Sequence, residues 1–261
     1  MIIQMSEYDN NDPSKKKHIR IAIILALVCG LMIFLDFIVI SMIYSWTDWV
    51  ATLVFSMLFI VPAYLSNAGM VFVGGGKPID GGKFCKDGRR IFGDHKTISG
   101  LVKGPLYIGI PISIGIFLLF LVLWPGIQQI PITVDHLGIS KVYSDLKLYE
   151  FYFIGGQLPL GLLMLLIRII LVSYGASLGD LAGSFIKRRF NYPSGAPFWI
   201  VDQLDFALGA ILLASIPAFI FPGIYYAPDL NIIIFLMIIT PSISIIANTI
   251  AYVVGWKDVP W

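Results

Sequence analysis

Two cysteines, Cys29 and Cys85, and three histidines, His18, His95 and His136, are all that 261 residues offer for thiolate or imidazole chemistry. The cysteines are too few and too far apart for a disulfide framework or a zinc site. The histidines are scattered over a tail and two separate loops, which excludes a Ser/His/Asp triad and a His-based metal centre. Charge is scarce as well, at 13% Asp, Glu, Lys and Arg, against 57% hydrophobic residues. That apolar share exceeds the usual soluble level of roughly half, and the mean hydropathy is +0.85. The chain is composed for a bilayer.

A membrane span needs about 20 mostly apolar residues. Six runs qualify, at roughly 20–44, 50–73, 101–124, 151–177, 204–222 and 231–254. The first follows a basic tail, MIIQMSEYDNNDPSKKKHIR, yet it is longer than a signal-peptide core of 7–15 residues and no A-x-A-like site ends it. It is read as a helix. Lys15, Lys16, Lys17 and Arg20 precede the first span, residues 74–103 carry seven cations, residues 187–189 are Lys-Arg-Arg, and Lys257 lies near the end. With six spans all of these fall on one side, whereas loop 125–150 holds only Lys141 and Lys147 and residues 223–230 hold none. The excess of positive charge marks the cytoplasmic side. An all-α, polytopic membrane protein with both termini in the cytoplasm is expected, with two polar cytoplasmic loops forming its site.

The first polar loop is GGGKPIDGGKFCKDGRRIFGDHKTISG, residues 74–100. Its glycines let backbone N–H groups approach an anion closely while Lys77, Lys83, Arg89, Arg90 and Lys96 supply charge, as phosphate cradles do. A solvated loop that merely orients the protein explains the cations equally, but it does not explain Asp80, Asp87 and Asp94, spaced every seven residues. No Walker A pattern is present, because Asp94 and His95 stand between Gly93 and Lys96.

The second loop region, GSFIKRRFNYPSGAPFWIVDQLDF, spans residues 183–206. On a helix running out of the fourth span, Asp180, Ser184 and Lys187 fall at i, i+4 and i+7 and share a face. Beyond a turn from Pro193 to Pro197, Asp202 and Asp205 at i, i+3 put two carboxylates on one side of a helix start. Oxygen ligands so placed suit Mg²⁺ with substrate phosphates. An N-cap at Asp202 with Asp205 as a helix-dipole partner accounts for the same spacing.

Ser184-Phe-Ile-Lys187-Arg188 followed by Asp202-Gln-Leu-Asp205 resembles the signature of phosphatidate cytidylyltransferases, in the shorter archaeal form of the CDP-archaeol synthase family. PAYLSNA at 62–68, the first polar loop and the C-terminal ANTIAYVVGWKDVPW agree with it in order, so the resemblance covers roughly residues 55–261. It divides the chain into an added tail and helix, 1–50, and a cytidylyltransferase-like membrane domain, 51–261. It implies an enzyme that transfers CMP from CTP to 2,3-di-O-geranylgeranylglyceryl phosphate, with release of pyrophosphate. The implied partners are CTP and a membrane-embedded lipid phosphate, with no nucleic acid, and the implied cofactor is Mg²⁺. Position by position, Asp202, Asp205 and Asp180 become metal ligands or metal orienters. Lys187 and Arg188 become phosphate contacts, with Ser184, Lys77, Asp80, Lys83, Asp87, Arg89, Arg90 and Lys96 beside them. Asn67 and Asn248 become polar contacts to nucleotide or metal, or hydrogen bonds between helices, and Arg189 a topology charge. The bacterial and eukaryotic relatives continue with Lys-Asp and His-Gly-Gly; this chain has Pro193 and Ser194 at the Lys-Asp positions. One metal-binding Asp of that wider pattern is therefore absent, and Asp80, Asp87 or Asp94 are the candidates to replace it.

Two charges stand inside apolar runs, Asp36 and Arg168. Such residues face a protein interior, and Arg168 is expected to turn toward the lipid phosphate or to snorkel. Trp46, Trp49 and Trp124 suit interface anchors. Rival functions are a CTP-dependent polyprenol kinase, which would leave CDP, and a transporter, for which no repeated halves are visible.

Overall fold

The computed structural model describes residues 13–192 and 198–255, without the side chains of residues 13–15, 18, 199 and 200. The predicted Pro193–Pro197 turn and the segment from Trp256 lie outside them. Nine α-helices run in the order α1 (Pro13–Ile43), α2 (Trp46–Val73), α3 (Ile98–Lys103), α4 (Ile110–Ile127), α5 (Gln129–His136), α6 (Leu146–Ile154), α7 (Leu160–Arg189), α8 (Trp199–Ile220) and α9 (Leu230–Val253) among the described residues, with a π-helical turn (Gly104–Gly109) joining α3 to α4. Six helical stretches are long and apolar enough to cross a membrane, as expected from the sequence.

Two spans differ from the sequence expectation. The third is helical from Ile98 through His136, well past residue 124, because Pro125 is absorbed within α4 and α5 follows at once. The fourth begins at Leu160, not at residue 151. Residues 146–154 form the separate helix α6, which stops where Gly155 takes φ +88, a left-handed cap that glycine adopts without steric cost. The chain then re-enters as α7, whose last turn carries Lys187, Arg188 and Arg189.

The helices meet at two ends. At one, Asp48 is fully buried at the start of α2 and gathers the connection before α6: it accepts from the backbone N–H of Lys141 (2.9 Å), Val142 (3.0 Å) and Tyr143 (3.0 Å) and from the Ser45 and Ser140 hydroxyls. A buried carboxylate is tolerable only with such partners. Tyr143 in turn donates to Asp229 (2.8 Å), the N-cap of α9. Asp36 does not meet Arg168. It accepts from Trp49 Nε1 at 2.9 Å, so this indole bonds α1 to α2 and also packs edge-on against Phe37 and Phe235, more than anchoring an interface.

Arg168 departs from its expectation too. It sits two turns into α7, at the end far from Arg189, and is 1% exposed, so it neither snorkels nor reaches a lipid phosphate. Its guanidinium donates to the carbonyls of Phe151 and Tyr152 at 2.8 Å each, in the last turn of α6, over the rings of Phe117 and Phe151. A cation at a helix C-terminus satisfies carbonyls that have no intrahelical partner.

The pair α7 and α8 is packed most tightly. Gly175, Gly179 and Gly183 on α7 and Gly209 on α8 leave no room for a side chain: a Cβ at Gly179 would lie 2.2 Å from the Asp205 carbonyl oxygen, and one at Gly209 2.3 Å from the Gly175 carbonyl oxygen. Small residues at four-residue spacing let membrane helices approach backbone to backbone. The same device brings the π-helical turn onto α2, where a Cβ at Gly109 would meet the Ser66 hydroxyl.

Candidate active site

The other end of the bundle holds the polar groups. Between the C-terminal turns of α2, the loop 74–97, α3 and α7 lies a cavity of about 440 Å³, lined in part by Asn67, Gly74–Gly76, Lys96, Ser177 and Asp180. Asn67 therefore faces it, while Asn248 is not among its lining residues.

The loop carries a set of contacts of its own. Antiparallel bridges join Pro78 to Thr97 and Phe84 to Arg90. Asp80, 5% exposed, is its internal hub: it accepts from the N–H groups of Gly82 (3.0 Å), Phe92 (3.1 Å) and Gly93 (3.1 Å) and holds Arg90 at 2.8 Å. Arg90 also reaches Asp94. The Arg90 guanidinium beside Asp80, with those N–H groups and against the cost of burial, keeps its carboxyl well below the usual carboxylate range. Thr97 closes the loop by capping α3, accepting from Gly100 N (3.1 Å) and Gly75 N (3.3 Å).

A depressed folded value means that Asp80 stabilises the loop above its unfolded pKa, near 4, and loses that effect only as pH falls through the folded value. Hydrogen-exchange protection at the amides of Gly82, Phe92 and Gly93 is therefore expected to stay constant from neutral pH to about 4 and to fail only in stronger acid. In Asp80→Asn the protection drops at every pH. Protection failing in the parent between pH 6 and 5 would assign the hub to another group.

Loop and α7 are clipped together. Arg189 binds Asp87 at 2.7 Å and donates to the Arg90 carbonyl, so it does more than set topology. Arg89 donates to the Arg189 carbonyl, and Arg188 to that of Phe92 at 3.1 Å. Lys77 and Lys83 are exposed and have no ion pair among the described residues.

Asp180, Asp202 and Asp205 come together where α7 meets the start of α8. Lys96 spans 84 residues of sequence to put its ammonium on both oxygens of Asp180, at 2.6 and 2.7 Å. Lys187 reaches one oxygen of Asp202, Oδ2, at 2.7 Å. Asp202 also accepts from the N–H of Phe198 at 2.9 Å; Phe198, not Asp202, occupies the N-cap, and the carboxylate reaches back to it from the first turn. Asp205 lies within electrostatic range of Asp180, Lys96 and Asp202, accepts from Phe206 N at 2.6 Å, and has no cation on it among the described residues. Ser184 sits half-buried one turn beyond Asp180. The arrangement concentrates three carboxylates and two ammonium groups beside a glycine-lined cavity, which suits binding of a polyphosphate with a cation.

Sequence reasoning did not single out Gly175, Gly179, Gly183 and Gly209, although the four-residue spacing of the first three is readable. It also passed over Asp48 and Thr97, which carry no motif.

The chain has relatives among known proteins. The CarS-like family, described as CDP-archaeol synthase, matches residues 49–123 and 136–261. The CDP-archaeol synthase of Thermococcus onnurineus is 38% identical over 81% of this chain and 98% of its own length. That of Thermococcus kodakarensis is 38% identical over 82% and 99%, and that of Archaeoglobus fulgidus 38% over 77% and 94%. A solved intramembrane enzyme for archaeal membrane lipids biosynthesis is 24% identical, with a TM-score of 0.44, covering 76% of this chain and 92% of that one. With a family match over residues 49–123 and 136–261 and relatives 38% identical over most of both chains, the chain belongs to the CDP-archaeol synthase family.

Proposed function

We propose that the protein transfers CMP from CTP to 2,3-di-O-geranylgeranylglyceryl phosphate, forming unsaturated CDP-archaeol and pyrophosphate on the cytoplasmic face of the membrane, with both termini in the cytoplasm. The observation that carries this reading is the convergence of Asp180, Asp202 and Asp205 with Lys96 and Lys187 at the polar end of α7 and α8, next to the 440 Å³ cavity. In the reaction an oxygen of the lipid phosphate attacks the α-phosphorus of CTP. The bond from that phosphorus to the oxygen bridging the β-phosphate breaks, and pyrophosphate leaves. The acceptor is already an anion, so neither a protein nucleophile nor a general base is needed, consistent with the scarcity of His and Cys. What the protein must supply is position and positive charge.

The residues fit a divalent cation in one respect and constrain it in another. Asp205 carries no cation among the described residues, and its two neighbouring acids already attract ammonium groups. As the side chains stand, no group of three acids among the described residues is arranged to hold a metal ion. Mg²⁺ would be held by Asp205 with Asp202 or Asp180 and would neutralise charge on the phosphates. Lys96 and Lys187, on leaving their carboxylates, are the cations within reach of the triphosphate, and Gly74–Gly76 line the same cavity. Lipid enters laterally between the helices while CTP arrives from water, which is why the site lies at the membrane boundary.

Purified protein with CTP, Mg²⁺ and the geranylgeranyl ether lipid phosphate is expected to release pyrophosphate only when all three are present. Release without the lipid, or none with it, would contradict the assignment.

A further inference from the structure

Asp205 owes its place to a missing side chain. Its carboxylate lies flat against α7 at Gly183: a Cβ at that position would stand 2.1 Å from Asp205 Oδ2, 2.6 Å from its Cβ and 2.7 Å from its Cγ. The other glycines of this crossing behave differently. At Gly179 a Cβ would meet the Asp205 backbone carbonyl, and at Gly175 the backbone of Gly209 and Ala210. Only Gly183 touches an acid's functional group. Gly183 lies mid-helix with ordinary helical dihedrals, where alanine is the better residue, so the close approach is what favours glycine. It also lies between Asp180 and Lys187 in sequence, so the notch it leaves admits Asp205 into the group formed by Asp180 and Lys187 with Asp202.

We infer that Gly183 is a positioning residue: by lacking a side chain it sets the direction of the Asp205 carboxylate, and with it the cation affinity of the site. This rests on the reading of Asp205 as a metal ligand. A methyl group at 183 pushes the carboxylate away from α7, while the α7–α8 crossing continues to be held by Gly175, Gly179 and Gly209.

The test is Mn²⁺ binding to purified protein with CTP present, followed by electron paramagnetic resonance of free Mn²⁺, in the parent, Gly183→Ala, Gly175→Ala and Asp205→Asn. Gly183→Ala is expected to weaken Mn²⁺ binding by about 10–100-fold, as loss of a ligand-orienting contact does. Gly175→Ala is expected to lower the melting temperature and to leave Mn²⁺ binding of the folded protein at the parent value. Parent-like binding in Gly183→Ala, or equal weakening in Gly175→Ala, together with loss of binding in Asp205→Asn, overturns the positioning role alone. Parent-like binding in Asp205→Asn overturns the metal reading as well. If Gly183→Ala does not fold, the double variant with Asp205→Ala decides: recovery of folding supports the contact, because two of the three clashing atoms are gone, and continued failure overturns it.

Discussion

Asp205→Asn is expected to retain the fold and to lose about 10²–10³-fold in kcat/KM. The amide keeps the shape that fits over Gly183 and keeps an oxygen for the N–H of Phe206, so thermal unfolding in detergent should stay close to the parent. What disappears is the one carboxylate of the three that carries no lysine among the described residues. Removing one preorganised electrostatic contact to a reacting group costs about 10²–10³ in rate. Steady-state kinetics with Mg²⁺ varied would show the deficit partly relieved at high Mg²⁺ if Asp205 binds the cation. Parent-like turnover would remove Asp205 from the machinery and leave it a packing residue.

Arg168→Met should act the other way, on stability and not on chemistry. The guanidinium makes two 2.8 Å bonds to carbonyls at the end of α6, both buried, and methionine fills the space without donating. At about 0.6–2 kcal/mol for each such bond in a membrane protein, the loss is about 1–4 kcal/mol, seen as a lower melting temperature or detergent-denaturant midpoint. The surviving folded fraction should keep the parent's Mg²⁺ dependence, because Arg168 lies 12 residues before Asp180, about 18 Å along α7. A change in Mg²⁺ dependence without loss of stability would contradict the scaffold role.

These two residues also show what was legible in the sequence. The six apolar runs and the charge bias were readable, because length and hydropathy decide whether a helix crosses a bilayer. Hydropathy alone starts the fourth run too early, since residues 151–177 are mostly apolar and that outweighs the breakers at Gly155, Gly156 and Pro159. Correcting that start is what moves Arg168 to the end remote from the site. The acids of α7 and α8 were legible from the pattern around Lys187 and Asp205. Their partners were not: the contact of Lys96 with Asp180 closes over 84 positions, and helix periodicity carries no information at that separation. Asp80 illustrates the same limit. Its seven-residue spacing with Asp87 and Asp94 does not tell their surroundings apart: Asp80 and Asp94 share Arg90, with Asp80 also buried on the N–H groups of Gly82, Phe92 and Gly93, whereas Asp87 meets Arg189.

The most direct measurement of the central claim uses CTP labelled in parallel at the α- and γ-phosphates, Mg²⁺ and geranylgeranyl ether lipid phosphate with the purified protein. The account predicts α-label in a lipid product and γ-label released as pyrophosphate. Label from the γ position in the lipid would mean a CTP-dependent kinase, and no transfer of either label to lipid phosphate would contradict enzymatic nucleotidyl transfer by this chain.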